Sequence, residues 1–198
     1  MKVVLADYGA GNMRSVCSAL VRAGAEPVVT TDPAEVADAP LVVVAGVGHV
    51  AQAAAGLGPL ADVLRERVAA GRPVLGICVG LQLLFGQSEE GGEGLRLLGG
   101  GVRRLTARTV PHMGWNELAC ARQSRILDGL DGADVYFAHS YAVQPDDDEL
   151  VVGWVDHGGS IVAAIENGAL AGVQFHPERS GAAGARLLEN VLQWSRSA

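Results

Sequence analysis

Residues Gly76 to Gln82 read GICVGLQ. The apolar run from Pro73 to Ile77 leads into Cys78, and a helical pattern opens from Leu81 to Phe85. A buried strand that ends on a cysteine and turns at once into a helix is a nucleophile elbow, with sulfur where many hydrolases carry a hydroxyl. Gly76 and Gly80 lack Cβ atoms, so strand and helix can approach closely across the turn. The turn lifts the Cys78 sulfur out of the sheet and sets it at a helix N-terminus. Free N–H groups and the helix dipole there favour the thiolate, the reactive form. The Val79 N–H faces any oxyanion formed at an attacked carbon. The alternative is a buried structural cysteine. That is the reading for Cys17, on the apolar stripe of its helix, and for Cys120, which has no glycine pattern around it.

Outward from the elbow, the first half alternates strands and helices. Val3–Ala6, Pro27–Thr30 and Leu41–Ala45 read as strands, and Met13–Ala23 and Leu60–Ala70 as amphipathic helices that stop at glycines. This rhythm predicts an α/β fold: a mostly parallel sheet with helices on both faces. The second half reads as strands at 95–105, 135–143, 150–156, 161–166 and 169–175. Asn167-Gly168 predicts a type I′ turn between the last two. A closing helix runs from about Gly181 to Trp194, with Ser180 as its N-cap. Antiparallel strands thus extend the parallel sheet, and residues 1–198 read as one domain.

The composition narrows the function. The chain has 198 residues, of which 49% are hydrophobic, with 22 acidic against 15 basic side chains and a net charge of −7. Phosphate-backbone binding needs clustered Lys and Arg, so a nucleic-acid partner is not expected. No stretch approaches the ~20 apolar residues of a membrane span, and the N-terminal apolar run stops at Asp7, short of a signal peptide. Three cysteines form no disulfide framework, which points to a reducing cytoplasm.

A thiol nucleophile needs a partner to take and return a proton. Residues Val173 to Ser180 read VQFHPERS, and the strand delivers His176 at its end. In an extended segment, positions two apart point to the same side. Glu178 can therefore pair with His176, fix its tautomer and stabilise imidazolium. Pro177 favours that extended form. Residues Ala45 to His49 read AGVGH after a Val-rich strand, and glycines there let a backbone N–H turn toward a neighbouring oxyanion.

Together these segments resemble the class I, Cys-His-Glu, glutamine amidotransferases. GICVGLQLLF and GVQFHPERS carry the features shared across that class. DYGAGNMRSV from Asp7, VPHMGWN from Val110 and YFAHSY from Tyr136 are most similar to the glutaminase subunits of imidazole glycerol phosphate synthase, in histidine biosynthesis. Two positions depart from the usual pattern: Ala45 stands where Pro is common, and Val79 where Leu is common.

The resemblance implies hydrolysis of glutamine through a thioester on Cys78, with His176 as base and then acid, and Glu178 orienting it. Val47 and Val79 would supply the oxyanion N–H groups. Gly46 and Gly48 would allow a peptide flip in the oxyanion loop. Gly46, Gln82, Ser140 and Tyr141 would bind glutamine. The ammonia would pass to a separate (βα)₈-barrel cyclase subunit in a heterodimer, with Asn12, Met113, Trp115, Asn116, Tyr136 and Arg179 at the interface. The chemistry implied needs neither metal nor organic cofactor. The short chain leaves no room for an acceptor-binding domain, consistent with a separate cyclase. Competing readings are a glutaminase for another synthase, such as those for pyridoxal phosphate or anthranilate, a cysteine peptidase-like protein, or a non-catalytic binding module.

Overall fold

The computed structural model describes residues 1–9 and 12–197. Ala10 and Gly11, inside the DYGAGN motif, and Ala198 lie outside the described residues. The chain runs β1 (Lys2–Ala6), α1 (Met13–Arg22), β2 (Glu26–Thr30), α2 (Pro33–Asp38), β3 (Val42–Gly46), α3 (Val50–Leu57), α4 (Leu60–Ala69), β4 (Val74–Cys78) and α5 (Val79–Gln82). It continues through β5 (Gln87–Ser88), β6 (Gly100–Arg104), β7 (His112–Glu117), β8 (Ala119–Cys120), β9 (Asp134–His139) and β10 (Tyr141–Pro145). It closes with β11 (Val151–Asp156), β12 (Ser160–Asn167), β13 (Leu170–Val173) and α6 (Gly181–Trp194).

The main sheet has the order β2-β1-β3-β4-β13-β12-β11-β8. Pairings from β2 to β13 are parallel, and those from β13 outward are antiparallel. The expected α/β sheet with an antiparallel extension is present. Every residue of β3 and of β4 is buried, which is why both read as unbroken apolar runs rather than alternating ones. The edge strand β2 is only half-buried and tolerates Pro27, which has no N–H to give to a ladder. Two small sheets, β10-β6-β5 and β7-β9, sit beside the large one.

Several local expectations are corrected. The β12–β13 register pairs Asn167 with Leu170, so the two-residue loop is Gly168-Ala169. Only Gly168 has positive φ there (59°), a type II′ pattern rather than type I′. The strand expected over 135–143 is two strands in different sheets, broken at Ser140. That expected over 95–105 is ordered as strand only from Gly100. The helix after the elbow is the single turn Val79–Gln82, earlier and shorter than expected. Helices α2 and α3 and strand β7 carry too few periodic positions to stand out in the sequence. Asp32 and Pro33 nevertheless start α2 in the expected chemical way: Asp32 accepts the Ala34 N–H at 2.9 Å, and Pro33 fills the first turn.

One buried cation ties two helices to the sheet. Arg67, on α4, is 2% exposed. Its guanidinium donates to the carbonyls of Val36 and Ala37 on α2 and of Pro73 just before β4, at 2.8–3.1 Å. Burial first, and Arg72 second, pull it down to about 10. Removing the donors takes three charge-assisted hydrogen bonds from a buried region; Ala37 keeps Arg72 and Pro73 keeps the Val42 N–H, but the Val36 carbonyl loses its guanidinium partner. Arg67→Met should lower the unfolding free energy by about 3 kcal/mol, read from urea denaturation. A loss within about 0.5 kcal/mol would show that the clamp is dispensable.

Candidate active site

Cys78 ends β4 with φ 55° and ψ −109°, a left-handed conformation that non-glycine residues rarely adopt. The elbow is compressed around it. A Cβ on Gly80 would lie 1.7 Å from the Val44 carbonyl oxygen, and one on Gly76 would lie 2.6 Å from that of Gly80. The glycines therefore do what their spacing in the sequence requires. The dipole expectation is weaker than stated from the sequence, because a four-residue helix aligns too few peptides.

The donors around sulfur come instead from side chains. Gln174, fully buried on the segment after β13, donates its Nε2 to Cys78 Sγ at 3.6 Å. His176 lies close enough to Cys78 for the sulfur to act on its ring. Its Nδ1 lies 2.9 Å from Glu178 Oε1, and both side chains are buried. Burial alone pulls His176 down. Hydrogen bonds to Cys78 and Glu178, and then their negative charges, outweigh it and push the ring up to about 10. The imidazolium form is thus held through neutral pH, facing sulfur.

The pairing of His176 with Glu178 arises differently from the extended arrangement expected. Residues Pro177–Arg179 form a 3₁₀ turn, and that turn folds Glu178 back onto the ring. Ser180 does not cap α6 with its side chain. Its hydroxyl donates to the His176 carbonyl at 2.7 Å and accepts the Tyr136 N–H at 3.0 Å, stapling the turn to β9.

Gly46 pairs with Cys78 across β3 and β4, so the AGVGH loop leaves the sheet directly beside the nucleophile. Val47, Gly48, Cys78, Val79, Gln82, Glu90, Ser140 and Tyr141 are among the residues lining one cavity of about 190 Å³. Gly46 is not among them. It makes room for Tyr8, whose hydroxyl donates to the Ala45 carbonyl at 2.8 Å and would stand 1.8 Å from a Cβ at position 46. Burial, and then the charge of Cys78, push the Tyr8 phenol well above its ordinary range. A larger groove of about 410 Å³ between β6, β10 and β12 lies apart from these groups.

Besides the histidine pair described below, three site residues escaped the sequence reading. Among the described residues, Glu90 is the one carboxylate lining the cavity. It accepts the Val50 N–H at 3.1 Å and lies 2.8 Å from His49 Nδ1, bracing the end of the loop. Gln174 and Tyr8 are the others. All three reach the site from separate segments, with no spacing rule to join them. Their visible signals were only a polar residue within an apolar strand (Gln174) and an acidic pair before Gly91-Gly92 (Glu90).

Gln82 spends both Nε2 protons, on the Tyr141 carbonyl (2.9 Å) and on Gln174 Oε1 (3.2 Å). Its amide orientation is thereby fixed, and its Oε1 remains for the cavity. Met113, at the cavity, and Trp115, two residues on along β7, are 66% and 57% exposed. Trp115 meets Tyr136 edge-on at 5.9 Å, and Arg179 lies over the Tyr136 ring at 4.1 Å. Asn116 points the other way, to the Asp156 carbonyl and His112. Asn12 caps α1, the helix packed on the turn that carries Arg179. Cys17 and Cys120 lie elsewhere, with thiols pushed up by burial and, for Cys120, by Asp131 as well.

The pattern of the class-I glutamine amidotransferases matches residues 4–194. The chain belongs to the class-I glutamine amidotransferase family. An imidazole glycerol phosphate synthase subunit HisH from Moorella thermoacetica is 46% identical, covering 99% of this chain and 96% of that protein. The protein of the same name from Mycobacterium bovis is 47% identical over 95% of each chain, and that from Natronomonas pharaonis 42% over 98% and 94%. A crystal structure of a glutamine amidotransferase aligns over 98% of both chains with a TM-score of 0.79 at 18% identity, which shows the shared fold. As an amidotransferase, the chain is set apart from the cysteine peptidases that share an elbow of this kind. Among the described residues, no cluster of side chains is arranged to hold a metal, and no helix is long and apolar enough to cross a membrane.

A second histidine group adjoins the cavity, with His139 forming part of its lining. His112 and His139 are buried, and their Nδ1 and Nε2 atoms are 3.0 Å apart. Burial first, then repulsion between neighbouring rings, pulls His112 down to about 4. Burial chiefly, with His157 and His176, does the same to His139 against the opposing pull of the Tyr141 carbonyl. The unfolded chain therefore binds more protons than the folded one between pH 4 and 6.5. Stability from this pair is complete above pH 6.5 and should fall as pH drops toward 4. Urea unfolding at several pH values should show that slope, and His112→Phe should flatten it; equal slopes would contradict it.

Proposed function

We propose that this chain is the glutaminase subunit of an imidazole glycerol phosphate synthase, supplying ammonia to a separate cyclase subunit in histidine biosynthesis. The observation that carries the chemistry is Cys78, in a strained elbow, beside a His176 whose ring is hydrogen-bonded to the buried Glu178 carboxylate. The identities of 42–47% over almost the whole chain, all to subunits of that name, support the choice of synthase. The cavity, at about 190 Å³, is below the roughly 300–1,000 Å³ of drug-sized pockets, in keeping with a single amino acid rather than a peptide.

The Cys78 thiolate attacks the side-chain amide carbon of glutamine. The Val47 and Val79 N–H groups receive the oxyanion, and His176 delivers its proton to the departing nitrogen. Ammonia leaves, and a γ-glutamyl thioester remains on Cys78. His176, now neutral, takes a proton from water, which attacks the thioester and releases glutamate. Glu178 keeps the imidazole in the tautomer that both steps need. Glu90, the acid lining the cavity, is suited to the α-ammonium group. Ser140 and Tyr141 form the opposite wall, and Gln82 offers its carbonyl.

Ammonia set free in water is protonated and wasted, so a closed junction with the consuming enzyme is required. Met113, Trp115, Tyr136 and Arg179 offer an apolar and cationic face for a (βα)₈-barrel cyclase, with Asn12 at its margin. Asn116 serves the inside of the fold rather than that face.

Cys78→Ala should reduce glutamine hydrolysis by roughly 10⁴-fold or more while leaving the fold and partner binding intact. Retained turnover in a coupled glutamate assay would sink the mechanism. Affinity capture from the native cytoplasm should recover a cyclase with the wild-type chain. Trp115→Ala should weaken that capture by about tenfold or more, as expected of an exposed aromatic anchor. Recovery of some other synthase would redirect the assignment.

A further inference from the structure

His139 ends β9 and Tyr141 begins β10, so Ser140 is a one-residue joint between two different sheets. Ser140 and Tyr141 both line the cavity. His139 Nδ1 lies 2.8 Å from the Tyr141 carbonyl, across the joint. A carbonyl accepts only, so that nitrogen carries the proton. In a neutral ring Nε2 is then an acceptor, and the His112 Nδ1 at 3.0 Å must donate to it. His112 Nε2 is left as an acceptor, and Asn116 Nδ2 supplies a donor at 3.2 Å. Every bond in the row has one permitted direction. Rings on both faces hold His112: Phe137 at 4.4 Å and His157 at 4.0 Å, each nearly parallel to it.

We propose that His139, braced by His112, is a positioning residue for the glutamine pocket. It locks the Ser140 joint and fixes the Tyr141 carbonyl that orients Gln82. That carbonyl accepts both His139 and Gln82, at 2.8 and 2.9 Å, so its two lone pairs are filled. With the His139 donor gone, the Tyr141 peptide can rotate. Gln82 then loses the reference that turns its carbonyl toward the cavity. His112 roots the strut in β7, the strand that presents Met113 and Trp115. Substrate wall and outer face thus share one row of hydrogen bonds. His139 shares the cavity lining with Cys78, but neither histidine hydrogen-bonds it, so the expected effect is on glutamine binding more than on bond cleavage.

This inference rests on the glutaminase reading, and the experiment separates the two. Steady-state glutamine hydrolysis is measured with the full chain saturated with its cyclase. His139→Gln places an amide where Nε2 was and loses the donor to Tyr141. His139→Asn places its amide where Nδ1 was and keeps that donor. His139→Gln should raise KM about tenfold with kcat within about threefold of wild type, and His139→Asn should restore KM to within about threefold. His112→Phe/His139→Gln should be no worse than His139→Gln alone, since both act through one row. Thermal midpoints of the two position-139 variants should be similar, so a merely structural role would not separate them. Equal KM values for the Gln and Asn variants, or a loss confined to kcat, would overturn the strut. If wild type failed to hydrolyse glutamine at all, the glutaminase reading itself would fall, and with it the premise of the strut.

Discussion

The backbone of Gly80 lies against the carbonyl of Val44, closer than any side chain would allow, and the site is built around that contact. It lets a one-turn helix tuck under β3 immediately after the nucleophile. Cys78 is driven into a left-handed conformation in the process. Such strain persists only where the surroundings over-determine it. Here β4 is hydrogen-bonded on both sides by fully buried strands, β3 and β13. Each neighbour carries one more piece of the chemistry. The loop with Val47 and Gly48 leaves from the end of β3, and the segment after β13 carries Gln174 and His176. The reactive groups are thus assembled by adjacent parallel strands ending at the same edge, where α/β sheets commonly place ligands.

Around this centre, polar atoms are accounted for with few left over. Gln174 links sulfur to Gln82, Gln82 links to Tyr141, and Ser180 ties the catalytic turn to β9. One exception is Glu178 Oε2, buried with no hydrogen-bond partner while Oε1 holds His176. The unshared charge lies beside the His176 ring, the proton donor of the proposed reaction. It helps keep His176 charged despite burial, whereas His112 and His139, buried with no carboxylate partner, are held neutral.

The sequence disclosed what local spacing encodes. Val3–Ala6, the Val-rich run of β3, and the Gly-x-Cys-x-Gly elbow are short-range patterns, and each has a single steric meaning. His176-Pro177-Glu178 was legible as a pair, but its geometry was not. Two residues apart is compatible with an extended segment or a 3₁₀ turn, and packing against α6 and β9 selected the turn. Asn167-Gly168 misled for a similar reason. The ladder with β13 fixed the register, so tertiary pairing overrode the local preference by one residue. Glu90, Tyr8 and the His112–His139 pair were hidden because their partners lie 27 or more residues away. Nothing in a linear pattern records such meetings.

Gln82 carries one last consequence. An unconstrained amide side chain is ambivalent: it can rotate to offer a donor or an acceptor to whatever arrives. Here both protons are committed to the protein, and rotation would set two acceptors against its oxygen. The residue has lost that ambivalence and become a filter of one polarity. A group bearing N–H is welcomed at that spot, while a bare carboxylate meets lone pair against lone pair. In a glutaminase of the kind proposed, such a wall would tell the amide of the substrate from the carboxylate of the product before any bond is broken.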